Sequence, residues 1–278
     1  MRTVHFTEPY LIDPTNSITV KVLGSGATGS KFMTGIAEMN AALKSLGLAG
    51  FDVQLFDDDR VTEANLARQR FSKSELGMYK SVARINNINR WFGTNWKAVP
   101  YKYTKKNLHR FKDNGTANIF VTCVDTLQAR FELAEILKRF ELQEFSERNN
   151  PFYWLDFGNS KHTGQVILST VGEIAQPNSK LFISEGNLPF VTEEYREVLE
   201  QSEAEDTTPS CSLPEALEKQ DLFINSALVS FGCELLWQLC RNKIIDVRGA
   251  FMNLADMRVN PIPITKICNK KPIIRKAA

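Results

Sequence analysis

Gly24-Ser25-Gly26-Ala27-Thr28-Gly29 is the run in this sequence whose spacing points most directly to chemistry. A G-x-G-x-x-G turn between a strand and a helix brings bare backbone close to a nucleotide and aims the first helical N–H groups at phosphate. Alone, the motif does not separate a dinucleotide from ATP, and a purely structural tight turn has the same spelling. Asp57 follows the next apolar alternation, where a carboxylate can accept from both ribose hydroxyls. Downstream stand Asp59, Asn65, Arg68, Gln69 and Lys80, then Cys123-Val124-Asp125 and Arg130. NAD enzymes do not require that series. At the carboxyl ends of parallel strands it would supply two fixed cations for a triphosphate and a carboxylate able to hold Mg²⁺, which is what in-line attack on an α-phosphate needs. Taken singly, each residue has a plainer reading: Arg68 and Lys80 as solvated helix charges, Asp125 as a helix N-cap unless Thr126 takes that role, Asp58 as exposed or structural.

The elements that must position these residues are legible as apolar periodicity. Ile18, Val20 and Val22 alternate as a strand, Phe32, Ile36, Met39, Leu43 and Leu46 recur at helical spacing, and Phe51, Val53 and Leu55 alternate again. With Gly47 as a helix C-cap, a strand–turn–helix–strand unit is complete before the acidic run Asp57-Asp58-Asp59. Ser72 and Glu75 spell a capping box ahead of Leu76, Tyr79, Val82, Ile85 and Ile88, which predicts a helix ending near Gly93 with Lys80 in its early turns. Residues 96–103 and 117–126 read as strands and 127–145 as a helix. Residues 152–157 and 165–171 are strand-like runs with no room for a helix between them, so an antiparallel pair is expected. A polar connection with three prolines, 175–212, holds one short expected helix within 193–206, followed by the strongest apolar helix, 222–240, and a closing hairpin around Ala255-Asp256.

The expected fold is therefore α/β: a Rossmann-like three-layer sheet, parallel in its N-terminal part, with antiparallel C-terminal strands. One domain is expected over 1–278, comprising a nucleotide-binding core at 17–171, a crossover connection at 175–212 and a C-terminal helix and strands at 213–278. A chain of 278 residues with 43% hydrophobic content can bury a sizeable core. The formal net charge of +2 gives no reason to expect a nucleic-acid or membrane partner, and no stretch is apolar enough for a signal or a span, so the chain reads as cytoplasmic and soluble. The five cysteines contain no C-x-x-C pair, which argues against a disulfide framework and a four-thiolate zinc site. Cys233 and Cys240 fall among the apolar residues of the long helix, Cys123 reads as a buried strand residue, and the basic tail reads as a solvated terminus.

The series GSGATG, FDDDRVTEANLARQ, a helix lysine and TCVDTLQAR resembles the adenylation core of the ThiF, MoeB and E1 family of ubiquitin-like-protein activating enzymes, from about Val20 to Val171. The segment TPSCSLPEALEKQDLFIN is further similar to the ThiF-like protein of PRTRC gene clusters. Position by position, the resemblance implies that Gly24, Gly26 and Gly29 cradle ATP, Asp57 binds ribose, Asn65, Arg68, Gln69 and Lys80 contact phosphates, and Asp125 binds Mg²⁺. It implies adenylation of a carboxylate, usually the C-terminal glycine of a small β-grasp protein, by a homodimer whose interface completes the site. Cys211 stands where some members place the thiol that captures the adenylate as a thioester, and an incidental loop cysteine is the alternative.

Three departures from the family pattern stand out. The paired C-x-x-C motifs that bind zinc in many members are missing, so no metal beyond Mg²⁺ is expected. Arg2 is the only cation before the first expected strand, where members often lend an arginine to the partner's phosphate site, and Thr126 replaces a common asparagine. His5, His109 and His162 match no catalytic pattern, and His162 reads as a loop residue. Two rivals remain: a nucleotide-binding scaffold without turnover, and an NAD(P)-dependent oxidoreductase. The sequence names neither the acceptor carboxylate nor the step after adenylation.

Overall fold

The computed structural model describes residues 1–66, 68–111, 115–197, 199–200 and 220–266. Its main sheet has eight strands in the order β11-β10-β7-β6-β5-β2-β3-β4. β2 (Ile18–Leu23), β3 (Phe51–Phe56), β4 (Lys97–Val99), β5 (Ile119–Thr122) and β6 (Tyr153–Asn159) pair in parallel, and β7 (Thr163–Thr170), β10 (Val247–Asn253) and β11 (Arg258–Pro263) extend the sheet antiparallel. The expected parallel-then-antiparallel division is what the structure shows.

Three layers follow from where the apolar faces go. Helices α2 (Ala27–Ser45) and α3 (Lys80–Phe92) and the late helix α6 (Ile224–Arg241) pack on one face, with Phe32, Ile36, Ile88, Leu228 and Leu236 against Val22, Val53, Val121 and Leu155. On the other face α4 (Leu127–Glu141) sets Leu133 and Leu137 against Phe120 and Trp154. Alternate residues of a strand point to opposite faces, so neighbouring pairs such as Val121 and Phe120 serve both cores. Glycine lets α6 sit close to the sheet: a β-carbon on Gly232 would lie 2.2 Å from the Phe157 ring, and one on Gly35 would lie 2.5 Å from Cys233 Sγ.

Several expectations shift. The Ser72–Glu75 capping box is present but caps only a short 3₁₀ turn, Lys73–Glu75, because Gly77 turns the chain at φ +79° and α3 then starts at Lys80. Lys80 is thus the first residue of its helix. The strands expected at 96–103 and 117–126 shrink to three and four residues, and the helix expected to reach 145 ends at Glu141. A feature unread in the sequence is a second sheet, in which β1 (Arg2–Phe6) pairs with β8 (Phe182–Ser184) in parallel and with β9 (Ile244–Ile245) antiparallel. Two short helices lie elsewhere along the chain, α1 (Pro9–Ile12) before β2 and α5 (Val191–Glu194) after β8.

The second sheet is anchored by a buried histidine. His5 Nδ1 donates to the Glu185 carbonyl at 2.7 Å, which leaves Nε2 to accept from the Tyr153 hydroxyl at 2.9 Å. The phenol oxygen accepts in turn from the Glu8 N–H at 3.0 Å. Burial pushes the His5 pKa below its ordinary value, so the imidazole is held neutral.

Candidate functional site

The chain runs from β2 outward to β3 and β4, then returns to the opposite side of β2 as β5. Such a reversal opens a crevice at the carboxyl ends of the two central strands, which is where open α/β sheets bind ligands. The glycine turn leaves β2 there, and Cys123-Val124-Asp125 leaves β5 beside it.

Each glycine of the turn has its own reason. Gly24 takes φ +96°, and a β-carbon on it would stand 2.6 Å from the Cys123 carbonyl oxygen. One on Gly29 would stand 2.0 Å from the Gly24 oxygen, so these two positions let the turn fold against β5 and the helix fold against the turn. Gly26 faces open space, with nothing within 4 Å of a built β-carbon. It is the N-cap of α2, so bare backbone and the first helical N–H groups of a long helix face the crevice together.

Asp57 ties the turn to β3. Its Oδ2 accepts from the Ser25 N–H at 2.6 Å, and its Oδ1 accepts from the Asp59 N–H at 2.8 Å. Burial raises its pKa, opposed by the Ser25 N–H and by the nearby Lys80 ammonium. Lys80, itself buried, donates to Asp59 Oδ2 at 2.9 Å, and Ser81 Oγ donates to the Asp57 carbonyl at 2.7 Å. The start of α3 is thereby fixed to the end of β3.

The loop between them carries Asn65, Arg68 and Gln69. Asn65 Oδ1 accepts from the Thr62 N–H at 2.9 Å and from its hydroxyl at 3.0 Å, closing a 3₁₀ turn. Arg68 Nη1 donates to Gln220 Oε1 at 3.0 Å, while its buried Nε has no partner among the described residues. Gln69 is buried, and its Oε1 likewise has no partner among the described residues. Gln220 Oε1 also accepts from Asn225 Nδ2 at 2.9 Å, and Asn225 Oδ1 accepts from Thr28 Oγ1 at 2.7 Å. A polar chain thus runs from Arg68 to the first turn of α2 through residues before and at the start of α6.

Across the crevice Asp125 is exposed, and the helix behind it is capped by Thr126, whose hydroxyl accepts from the Ala129 N–H at 3.4 Å. The capping role that could have claimed Asp125 is filled, leaving its carboxylate facing solvent. Arg130 holds the approach: Nε donates to Asp156 at 3.0 Å, and Nη2 to the Val124 and Phe157 carbonyls, both at 2.8 Å. Arg130 is 5% exposed and Asp156 1%, so this pair is a buried brace rather than a free cation for phosphate.

Lys31 belongs to the same neighbourhood and was not read as a site residue. It is buried one turn into α2 with Nζ 3.4 Å from the Arg68 carbonyl, and burial together with Arg70 and Arg68 lowers its pKa to about 8. Its signal was available, a lysine just behind a glycine turn. Gln220 and Asn225 were missed because two amides before an apolar helix carry no pattern of their own. His162, in the turn before β7, pairs with Asp221 at 2.5 Å. Cys211 lies outside the described residues. Burial pushes the Cys123 thiol well up and those of Cys233 and Cys240 to about 12, so none of these three is a ready thiolate; Cys123 is half-buried just past its strand. No helix among the described residues is long and apolar enough to cross a membrane.

A parallel-centred sheet with a glycine turn, a strand-end acid and clustered cations at its switch point defines a nucleotide-binding class of α/β protein. The sequence matches the ThiF family over residues 12–218, and the chain belongs to that family. Among solved structures it is similar to Escherichia coli MccB with ATP, at 12% identity and TM-score 0.55, covering 93% of this chain and 67% of that one. MccB solved with MccA gives TM-score 0.56 at 12% identity, with 93% and 67% covered. PaaA gives TM-score 0.57 at 12% identity, with 89% and 73% covered. The chain thus spans about two thirds of the MccB chains, 66% in one of them. No curated protein is matched by the sequence.

Proposed function

We propose that this chain is an E1-like adenylyltransferase that uses ATP to activate a carboxylate. The observation that carries the reading is convergence: Ser25 of the glycine turn bonds Asp57, Asp57 bonds the Asp59 N–H, Asp59 holds Lys80, and Arg68 reaches Thr28 of α2 through Gln220 and Asn225, while Asp125 follows the Cys123 carbonyl that packs on Gly24. A carboxylate oxygen would attack the α-phosphorus, forming an acyl-phosphate anhydride bond while the bond to the β-phosphate oxygen breaks and pyrophosphate leaves.

The chain's own contribution is position and charge. In this reading Gly26 and the N-terminus of α2 would admit the phosphates, Asp57 would take the ribose, and Asn65, Gln69, Arg68 and Lys80 would contact the triphosphate. Asp125 has the donor chemistry for Mg²⁺, which when bound would offset the charge of the leaving pyrophosphate. To turn fully onto phosphate oxygens, Lys80 would exchange its ion pair with Asp59, and Arg68 its hydrogen bond to the neutral Gln220 amide, for contacts to the anion.

Family membership and the ATP-bound MccB neighbour support ATP as the nucleotide over NAD(P). As substrate we propose the C-terminal glycine of a ubiquitin-like β-grasp protein and as assembly a homodimer, with Cys211 as the residue that could take the acyl group onward. A second reading, with another carboxylate-bearing acceptor, draws on the MccB structures solved with MccA. The likeness to PRTRC-associated ThiF proteins rests on the segment holding Cys211. ATP–pyrophosphate exchange with candidate β-grasp partners tests the proposal: exchange dependent on Asp125 supports it, and ATP binding with no exchange for any carboxylate partner makes the protein a scaffold. NAD stabilising the fold more than ATP in a thermal-shift assay would favour the oxidoreductase.

A further inference from the structure

Two helical turns along α2 from the glycine turn, a second group of cations meets, with no ion pair to an acid among the described residues. Arg70 Nη1 donates to Thr34 Oγ1 at 2.7 Å, and Arg84 Nη2 donates to the same hydroxyl oxygen. Arg84 is 4% exposed, and its buried Nε has no partner among the described residues. A depression of about 750 Å³ opens above them, lined by Arg70, Arg84, Asn87, Arg90 and Trp91, none of which is a carboxylate. The acid that does approach, Glu75, is already committed: Oε2 accepts from the Ser72 N–H at 2.7 Å and its hydroxyl at 2.9 Å, and Oε1 from Asn87 Nδ2 at 2.6 Å.

Two guanidinium groups converging on one neutral oxygen repel one another, and the inner one is desolvated. Burial, with Arg70 adding to it, lowers the Arg84 pKa to about 10 against the opposing pull of Glu75. Such an arrangement is costly as it stands and would be relieved by an oxyanion bridging the two forks. Thr34 accepts from both arginines, so its own hydroxyl proton is left to donate to that anion. Trp91, 81% exposed at the rim, offers a flat apolar face beside the charge. Arg70 holds φ +60°, an uncommon backbone for a non-glycine residue, and this conformation belongs to the turn that presents its side chain.

We propose that this depression is an anion site for the phosphate group of a small ligand, separate from the glycine turn, with Arg70 and Arg84 gripping the phosphate and Arg90 adding charge at the rim. Its volume suits anything from free phosphate or pyrophosphate to a nucleotide-sized phosphate ester.

Calorimetric titration of the full chain with inorganic phosphate, pyrophosphate and AMP tests the site. A Gly26→Val background removes the glycine turn as a competing phosphate site. Binding of at least one probe is expected to persist in Gly26→Val and to weaken tenfold or more when Arg70→Glu and Arg90→Glu are added. Both changes are on exposed residues, and an unchanged melting temperature verifies the fold. AMP bound at least tenfold tighter than phosphate, with the difference lost in Trp91→Ala, identifies a phosphate ester as the ligand; equal affinities identify the free anion. Loss of all binding in Gly26→Val alone, indifference to the arginine changes, or binding confined to oligonucleotides would overturn the proposal. Because no step uses nucleotide turnover, the result stands or falls apart from the adenylation reading.

Discussion

The Ser25 N–H points at Asp57 Oδ2 from 2.6 Å, so the glycine turn and the end of β3 are one hydrogen-bonded unit. The carboxylate accepts a second backbone N–H, from Asp59. Asp57→Ala would strip both acceptors at once and, at about 1–3 kcal/mol for the Ser25 N–H left unsatisfied, with the exposed Asp59 N–H free to turn to water, is expected to lower stability by about 1–3 kcal/mol while abolishing nucleotide binding. Urea denaturation with an ATP titration checks it. Asp57→Asn, which keeps one acceptor oxygen, should cost roughly half as much.

Gly24 and Gly26 should separate folding from binding. Gly24→Ala forces a β-carbon to within 2.6 Å of the Cys123 carbonyl at φ +96°, and a stability loss of about 1–3 kcal/mol is expected. Gly26→Ala meets no atom of the described residues within 4 Å, so its melting temperature should stay near wild type while ATP affinity falls about tenfold or more. Equal effects of the two changes on ATP binding at equal stability would show that the backbone at Gly26 does not face the nucleotide.

Asp125 is exposed and plays no part in capping α4, so Asp125→Ala should leave stability within about 0.5 kcal/mol of wild type. Pyrophosphate exchange, by contrast, should drop by about a hundredfold or more and lose its Mg²⁺ dependence. Exchange assays across a magnesium series provide the test. Arg130→Met is expected to do the reverse in kind, costing about 3–5 kcal/mol because Asp156 would be left buried without its partner.

His5 makes the fold sensitive to acid. Its folded pKa lies below the unfolded value of 6.5, so the unfolded chain takes up the proton first and stability falls as pH drops below 6.5. Above 6.5 neither state is protonated and the contribution is flat. The fall in unfolding free energy between pH 6.5 and 5.5 should include up to about 1 kcal/mol from this residue, and His5→Gln should remove that part. A slope unchanged by the substitution would place the sensitivity elsewhere.

How much of this was legible depends on the range of the interactions. The unit from β2 to β3 was readable because its apolar alternation and its glycines are local, and Thr126 as cap follows from its place before Leu127. The start of α3 was misplaced because a genuine capping box at Ser72 announces a helix that Gly77 at once interrupts. β1 went unread because Val4 pairs with Ser184 and His5 with Ile245, and no spacing rule spans such separations. Arg130 could be read as one more phosphate cation until its burial against Asp156 was visible. The link from Arg68 through Gln220 and Asn225 to Thr28 joins residues whose types are ordinary and whose meeting only the folded chain reveals.

That link has a practical consequence for anyone dividing the chain. A fragment ending at Val171 would contain the glycine turn, the parallel strands of the main sheet and the proposed phosphate contacts, and would still be wrong. α6, which packs Leu228 and Leu236 into the same core as Phe32 and sets Gly232 on Phe157, would be gone, and with it the amides that steady Arg68 and Thr28. The N-terminal half therefore cannot be expected to work as a portable nucleotide module; its roof is built from the far end of the polypeptide.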